Sequence, residues 1–254
     1  PFMVFTDEML TWPPDPDAWS LRWYKNMVGN CSADVVSSTV PCSNKWMIGT
    51  VNSFFIGFIA TFIATTLGTL AALGLSRPHM PYKGLIMAIL ISPMIVPLII
   101  TAAGMFFFYA RINLVYSFTG IILAHVALAT PFVVITVTAT LVGFDMNMVK
   151  ASQSLGARPV RTFFKVIMPL ILPGVISGAL FAFITSFDEV VIVMFMASLD
   201  QLTIPKQMWA GIRQEISPVI LCMATCLVIL SILLLTTVEL LRRRSEKLRG
   251  IKSR

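Results

Sequence analysis

Five stretches of this chain contain no Asp, Glu, Lys or Arg: residues 46–76, 84–110, 112–144, 166–187 and 216–238. A helix of roughly 20 apolar residues crosses the ~30 Å hydrocarbon layer of a membrane, and each stretch has room for one. None of them alternates apolar and polar residues as a barrel strand does. A helix satisfies its own backbone groups in lipid, so the economical reading is five spanning helices. After Asp188 and Glu189 the fourth stretch resumes its apolar run to Leu199, so residues 170–199 read as one helix carrying two acids. Charged residues make up only 12% of the chain, about half the usual share in a soluble domain. A soluble cytosolic enzyme is excluded on that ground.

The connecting segments set the orientation. Of the 19 Lys and Arg residues, thirteen fall in 77–83, 144–169 and 242–254, and six fall in 1–45, at 111 and in 200–215. Short basic loops stay in the cytoplasm, which puts the first group inside. The tail RRRSEKLRGIKSR holds seven basic residues and one acid, so the net charge of +7 reflects membrane topology rather than nucleic-acid binding. Residues 1–45 then lie outside, just before an inward-running helix. The expectation is an upstream span whose outer end is PFMVF, giving six helices with both chain ends in the cytoplasm. Within this outer segment Asp15 or Asp17 can cap a helix bearing Trp19, Trp23, Tyr24 and Met27 on one face, as in helices that lie at lipid headgroups. Cys31 and Cys42, on the same side, are candidates for a disulfide. Cys222 and Cys226 sit in an apolar helix and read as packing residues.

The longest inside loop, FDMNMVKASQSLGARPVRTFFKVIMPLILPG, covers residues 144–174. Asp145 or Asn147 can cap a short helix, and Gly156 can end it in a left-handed turn. Pro159 opens a second segment, read as stopping before Pro169. On the short helix Met148, Ala151, Ser152 and Leu155 fall at i, i+3, i+4 and i+7, one face of small and apolar residues. That face either packs on the protein's own helix ends or fills a groove on a soluble partner.

These residues resemble a family signature. Lys150-Ala151-Ser152-x-x-x-Gly156, followed nine residues later by Val166-Ile167-Met168-Pro169, is similar to the E-A-A-x-x-x-G pattern of permease subunits in bacterial binding-protein-dependent ABC importers. Lys150 and Ser152 replace the leading Glu and the second Ala. WSLRWYKNM, SPMIVP at 92–97, ATPFVV at 129–134, SFDEVV at 186–191 and EISPVI at 215–220 look like the second permease of the spermidine/putrescine branch. The resemblance implies an all-α type I importer permease fold. It divides the chain into a periplasmic segment at 1–45, a permease domain at 46–241 with its coupling loop at 144–169, and a basic tail at 242–254. Met148, Lys150, Ala151, Ser152, Leu155 and Gly156 would then form the helix that docks on a cytoplasmic ATPase.

Other chemistry-bearing residues are few. Pro93, Pro97 and Pro131 lie inside apolar spans, where each removes a backbone hydrogen bond and bends its helix. Asp188 falls about 16 Å from the outer end of a helix continuing to Leu199, near mid-bilayer, where a carboxylate facing lipid costs at least ~2.5 kcal/mol. Asp188 and Glu189 are therefore the candidates for lining a polar path that favours a cation, the alternative being a cap or a pairing with a partner subunit. His125 stands alone in its span and is read as a buried, hydrogen-bonded residue with no metal or proton role. The chain contains no G-x-x-x-x-G-K-[ST], H-E-x-x-H or G-x-S-x-G pattern.

The reading is a non-catalytic permease subunit of the bacterial inner membrane, with no cofactor of its own. Its partners would be a second permease, an ATPase dimer that uses ATP and Mg, and a periplasmic solute-binding protein. It would move a polyamine, or else an opine, another amine or an organophosphonate, by alternating access. An intramembrane enzyme lacks a convergent catalytic set here, and a stand-alone channel or carrier would not need a partner-facing loop.

Overall fold

The computed structural model describes residues 22–29, 44–77, 79–142, 147–214 and 218–248. Among these the secondary structure is helical throughout. The caps expected at Asp15, Asp17 and Asp145, residues 1–5, Trp19, the Cys31–Cys42 pair and the last six residues lie outside the described residues.

The chain divides into two compact units, Ile48–Gln207 and a second made of Pro1–Met47 with Met208–Arg254. In the second unit α1 (Arg22–Val28) packs on α11 (Pro218–Leu248). Trp23 and Asn26 are buried there, as are Val219, Cys222 and Met223. The apolar part of α11 with described side chains is Pro218–Leu233.

The larger unit is built around α5 (Phe118–Val142), which is buried along most of its length. α2 (Lys45–Leu75) presents Ala60, Ala64, Gly68 and Ala72 every fourth residue, the spacing that lines one stripe of a helix. A Cβ on Gly68 would fall 2.7 Å from Val133 Cβ, so this glycine permits the close approach of α2 to α5. On the helix α8 (Met168–Phe187) Gly174 and Gly178 form a G-x-x-x-G step. A Cβ at Gly174 would collide with Thr140 Oγ1, and one at Gly178 would meet Thr136 Oγ1 at 2.5 Å. Small residues are what let helices pack where lipid offers no hydrophobic drive between them.

Three expectations about the spans are corrected. First, 84–110 is not one helix: α3 (Lys83–Ile95) and α4 (Leu98–Arg111) meet at 103°. Pro97 has no N–H to continue the ladder and holds Val96 extended, at φ −72° and ψ 136°. Second, the segment after Pro159 does not stop at Pro169. Residues Pro159–Phe187 form a continuous helix, α7 (Pro159–Thr162) leading through a π-helical turn at Phe163–Ile167 into α8. That wider turn lies just ahead of Pro169, where the proline lacks a donor. Third, 170–199 is not one helix. α8 ends at Phe187, and α9 (Val191–Met196) is a separate short helix. Among the described residues three helices are long and apolar enough to span alone, and the bent α3–α4 pair makes four if it counts as one span. α5 by contrast runs continuously through Pro131.

Within this unit the loops gather at two ends. Residues 76–77 and 79–81 lie with α6 (Asn147–Ser154) and α7 around one cavity. At the other end Tyr116 N–H donates to Met196 O, and Asn52 Nδ2 donates to the carbonyls of Asp200 and Leu202, both at 3.0 Å.

Candidate functional site

α6 is short, and its end is closed with two hydrogen bonds. Gly156 N–H donates to Gln153 O at 2.9 Å, and Ala157 N–H donates to Ser152 O at 3.1 Å. Together they form the Schellman closure, which needs a left-handed residue at Gly156. Its φ is +78°, and a Cβ there would touch nothing within 4 Å. Backbone handedness rather than lack of room therefore calls for glycine.

The face expected from the sequence is divided. Ser152 turns toward α7, where its Oγ lies 2.7 Å from Thr162 Oγ1, and Thr162 is buried. Val149 and Gln153 line a cavity of about 980 Å³ together with Leu73, Arg77, His79 and Phe163. Met148, Lys150 and Ala151 are exposed, and Leu155 is 89% exposed. Leu155 therefore stands open at the end of a helix that is tied to α7 through Ser152.

The second candidate region is the break after α8. Asp188 caps the C-terminus of α8 with its N–H on Ile184 O, and its side chain is exposed. Glu189 is buried, and its Oε1 accepts the N–H of Ile192 at 2.8 Å. The carboxylate thereby satisfies one of the free backbone donors in the first turn of α9, whose N-cap position is Val190. At the other end of α9, Lys206 from α10 (Ile204–Gln214) donates through Nζ to Val193 O at 3.3 Å and Ala197 O at 3.0 Å. A carboxylate at the N-terminus and an ammonium at the C-terminus both complement the dipole of this six-residue helix. The two acids that adjoin in sequence thus occupy different environments, Glu189 held by backbone and Asp188 open.

Several residues that organise these regions carried no signal in the sequence. Thr162 and Lys206 act through partners at distant or loop positions. Gln201 donates through Nε2 to Tyr116 O at 2.7 Å, and Ser53 Oγ accepts the N–H of Ile204 at 2.9 Å. His125 is buried with Nδ1 2.8 Å from Ser186 Oγ. Gly174 and Gly178 carry a sequence signal, the G-x-x-x-G step of closely packed membrane helices. Among the described residues no cluster of three or more His, Cys, Asp or Glu is placed to hold a metal.

The described residues thus form a helical bundle apolar enough for a membrane, with a braced, exposed short helix at one end and an open carboxylate at a helix break. The family of binding-protein-dependent transport system inner membrane components matches residues 64–247, and the chain belongs to it. It is similar to the spermidine/putrescine transport system permease protein PotC of Haemophilus influenzae, with 28% identity over 228 residues, 90% of this chain and 84% of that one. It is also similar to PotC of Escherichia coli, 30% identical over 190 residues, 75% of this chain and 72% of that one. The putrescine transport system permease protein PotI of Escherichia coli is 28% identical over 215 residues, 82% and 72% of the two chains. Among solved structures, the MetNI methionine ABC transporter in an inward-facing conformation shares the fold, with a TM-score of 0.57 and 20% identity over 82% of this chain and 96% of that one.

Proposed function

We propose that this chain forms half of the membrane pathway of an ATP-driven importer for a small cationic solute, a polyamine of the spermidine or putrescine kind. The observation that carries the reading is α6, whose exposed Met148, Ala151 and Leu155 stand on a helix braced through Ser152 and Thr162 to the long helix Pro159–Phe187. A cytoplasmic ATPase gripping that face would move the whole of this helix as a rigid body, including the break at Asp188. The polyamine relatives support the choice of solute, and Asp188 supplies an exposed carboxylate that attracts a cation.

In this reading the end carrying Arg77, Lys150, Arg158 and Arg161 is cytoplasmic, as is the C-terminal tail. A second permease completes the pathway, and a periplasmic binding protein delivers solute to the end carrying Tyr116 and Asp200. ATP and Mg belong to the ATPase dimer, and this chain contributes no chemistry of its own. Alternating access follows from closure of the ATPase dimer beneath α6.

The test is reconstitution of the complete transporter in proteoliposomes with radiolabelled spermidine or putrescine and the cognate binding protein. Ala151→Trp places bulk on the docking face and is expected to leave membrane insertion intact while abolishing solute-stimulated ATP hydrolysis and uptake. Full transport by that variant sinks the docking assignment, and absence of polyamine uptake by the parent complex sinks the choice of solute.

A further inference from the structure

We infer that His125 is a positioning residue for solute capture: by holding Ser186 on the neighbouring helix it sets the rotation of the last turn of α8, and with it the direction in which Asp188 presents its carboxylate. The inference rests on the proposed place of Asp188 in the solute path and adds the residue that aims it.

The argument begins with what the imidazole costs. His125 is 1% exposed in a helix that is otherwise apolar or hydroxylated. Its Nδ1 reaches Ser186 Oγ at 2.8 Å, while Nε2 is buried with no hydrogen-bond partner. A buried polar atom left unpaired is unfavourable. A leucine would fill similar volume without that penalty, so what the histidine supplies is the bond to Ser186.

That bond adds a side-chain hydrogen bond to an α5–α8 seam otherwise joined by packing, which includes the stacked rings of Phe132 and Phe181. Farther along the seam, α8 meets α5 through Gly174 and Gly178, whose lack of a Cβ allows the close approach. Ser186 is itself buried, two residues before Asp188 on the same helical turn. One residue beyond Asp188, Glu189 is fixed by the N–H of Ile192. The exposed Asp188 therefore stands between two pinned neighbours, one held by α5 and one by α9. Releasing Ser186 frees one side of this clamp while leaving Asp188 chemically intact.

The test uses the complete transporter and two readouts. Asp188→Cys is introduced into a chain whose four cysteines are replaced by alanine, and its rate of modification by a cationic methanethiosulfonate is measured in membranes. His125→Leu removes the bond, Ser186→Ala removes it from the other side, and His125→Asn keeps a polar group at the position of Nδ1. The labelling rate should change about threefold in the first two, the scale of one interhelical hydrogen bond, and return in His125→Asn. In uptake of radiolabelled spermidine, with Asp188 present, His125→Leu should raise the half-saturating concentration about threefold to tenfold with little change in maximal rate. It should add nothing further once Asp188→Asn is in place. Equal labelling rates in the parent, His125→Leu and Ser186→Ala chains overturn the inference, as does an uptake defect fully additive with Asp188→Asn. Unchanged uptake by Asp188→Asn alone overturns the pathway reading instead, and it does so in a measurement separate from the labelling.

Discussion

Ser152 and Thr162 meet hydroxyl to hydroxyl at 2.7 Å, joining the exposed helix α6 to the start of the helix that runs to Phe187. The contact spans the Gly156 turn, so the short helix and the long one are linked both through the chain and across it. A lever needs such a brace, because a helix of eight residues on a loop would otherwise swing without moving the spans. Ser152→Ala or Thr162→Val should cost about 1 kcal/mol of stability, with a coupling energy of similar size in the double mutant. The functional effect should be larger: ATP hydrolysis persists while its stimulation by solute falls. Measuring both activities in proteoliposomes checks this, and unchanged stimulation would remove the brace from the account.

Gly156 offers a separate handle on the same helix. With φ at +78° and open space around it, Gly156→Ala introduces no clash but places an L-residue in the left-handed region, at a cost of about 1–2 kcal/mol. The expected outcome is a permease of normal abundance that retains less ATPase after detergent extraction. Quantitative co-purification reads the difference.

At the α5–α8 seam the penalty is steric. Gly174→Ala would drive its Cβ into Thr140 Oγ1, and relief requires the helices to part, at about 1–3 kcal/mol. Combining it with Thr140→Ala removes the atom that is struck and should restore most of the lost thermal stability. Failure of that rescue would mean that the backbone approach, not the hydroxyl, is limiting.

Asp188 and Glu189 should separate in experiment as they do in structure. Glu189→Ala removes the cap of α9 and should lower stability by about 0.5–2 kcal/mol, whereas Glu189→Gln keeps an acceptor for the Ile192 N–H and should be milder. Lys206→Met should act in the same direction from the other end of that helix. Asp188→Asn should leave the melting temperature unchanged and weaken uptake of a diamine. Thermal melts of the purified protein alongside uptake kinetics distinguish the two patterns.

Residue type alone settled the broad architecture. The absence of charge over 118–142 and 166–187 leaves no environment but lipid or protein for those side chains, and the spacing from Lys150 to Pro169 carries the family resemblance within one short segment. Gly156 was legible as a helix end because few other residues accept its backbone angles. The break at Asp188 was not legible, since apolar residues continue on both sides and hydropathy scores each side chain's preference for solvent, not the continuity of its helix. Whether an acid lines a path or caps a helix depends on which donor lies within 3 Å, and for Glu189 that donor is the N–H of Ile192. Likewise Ser152 belonged to the exposed face by periodicity, but Thr162, ten residues on, draws it inward. Sequence decides which solvent a segment can tolerate because that is a sum over its own atoms. Tertiary structure decides which polar atom meets which, because that depends on partners brought close only when the helices pack.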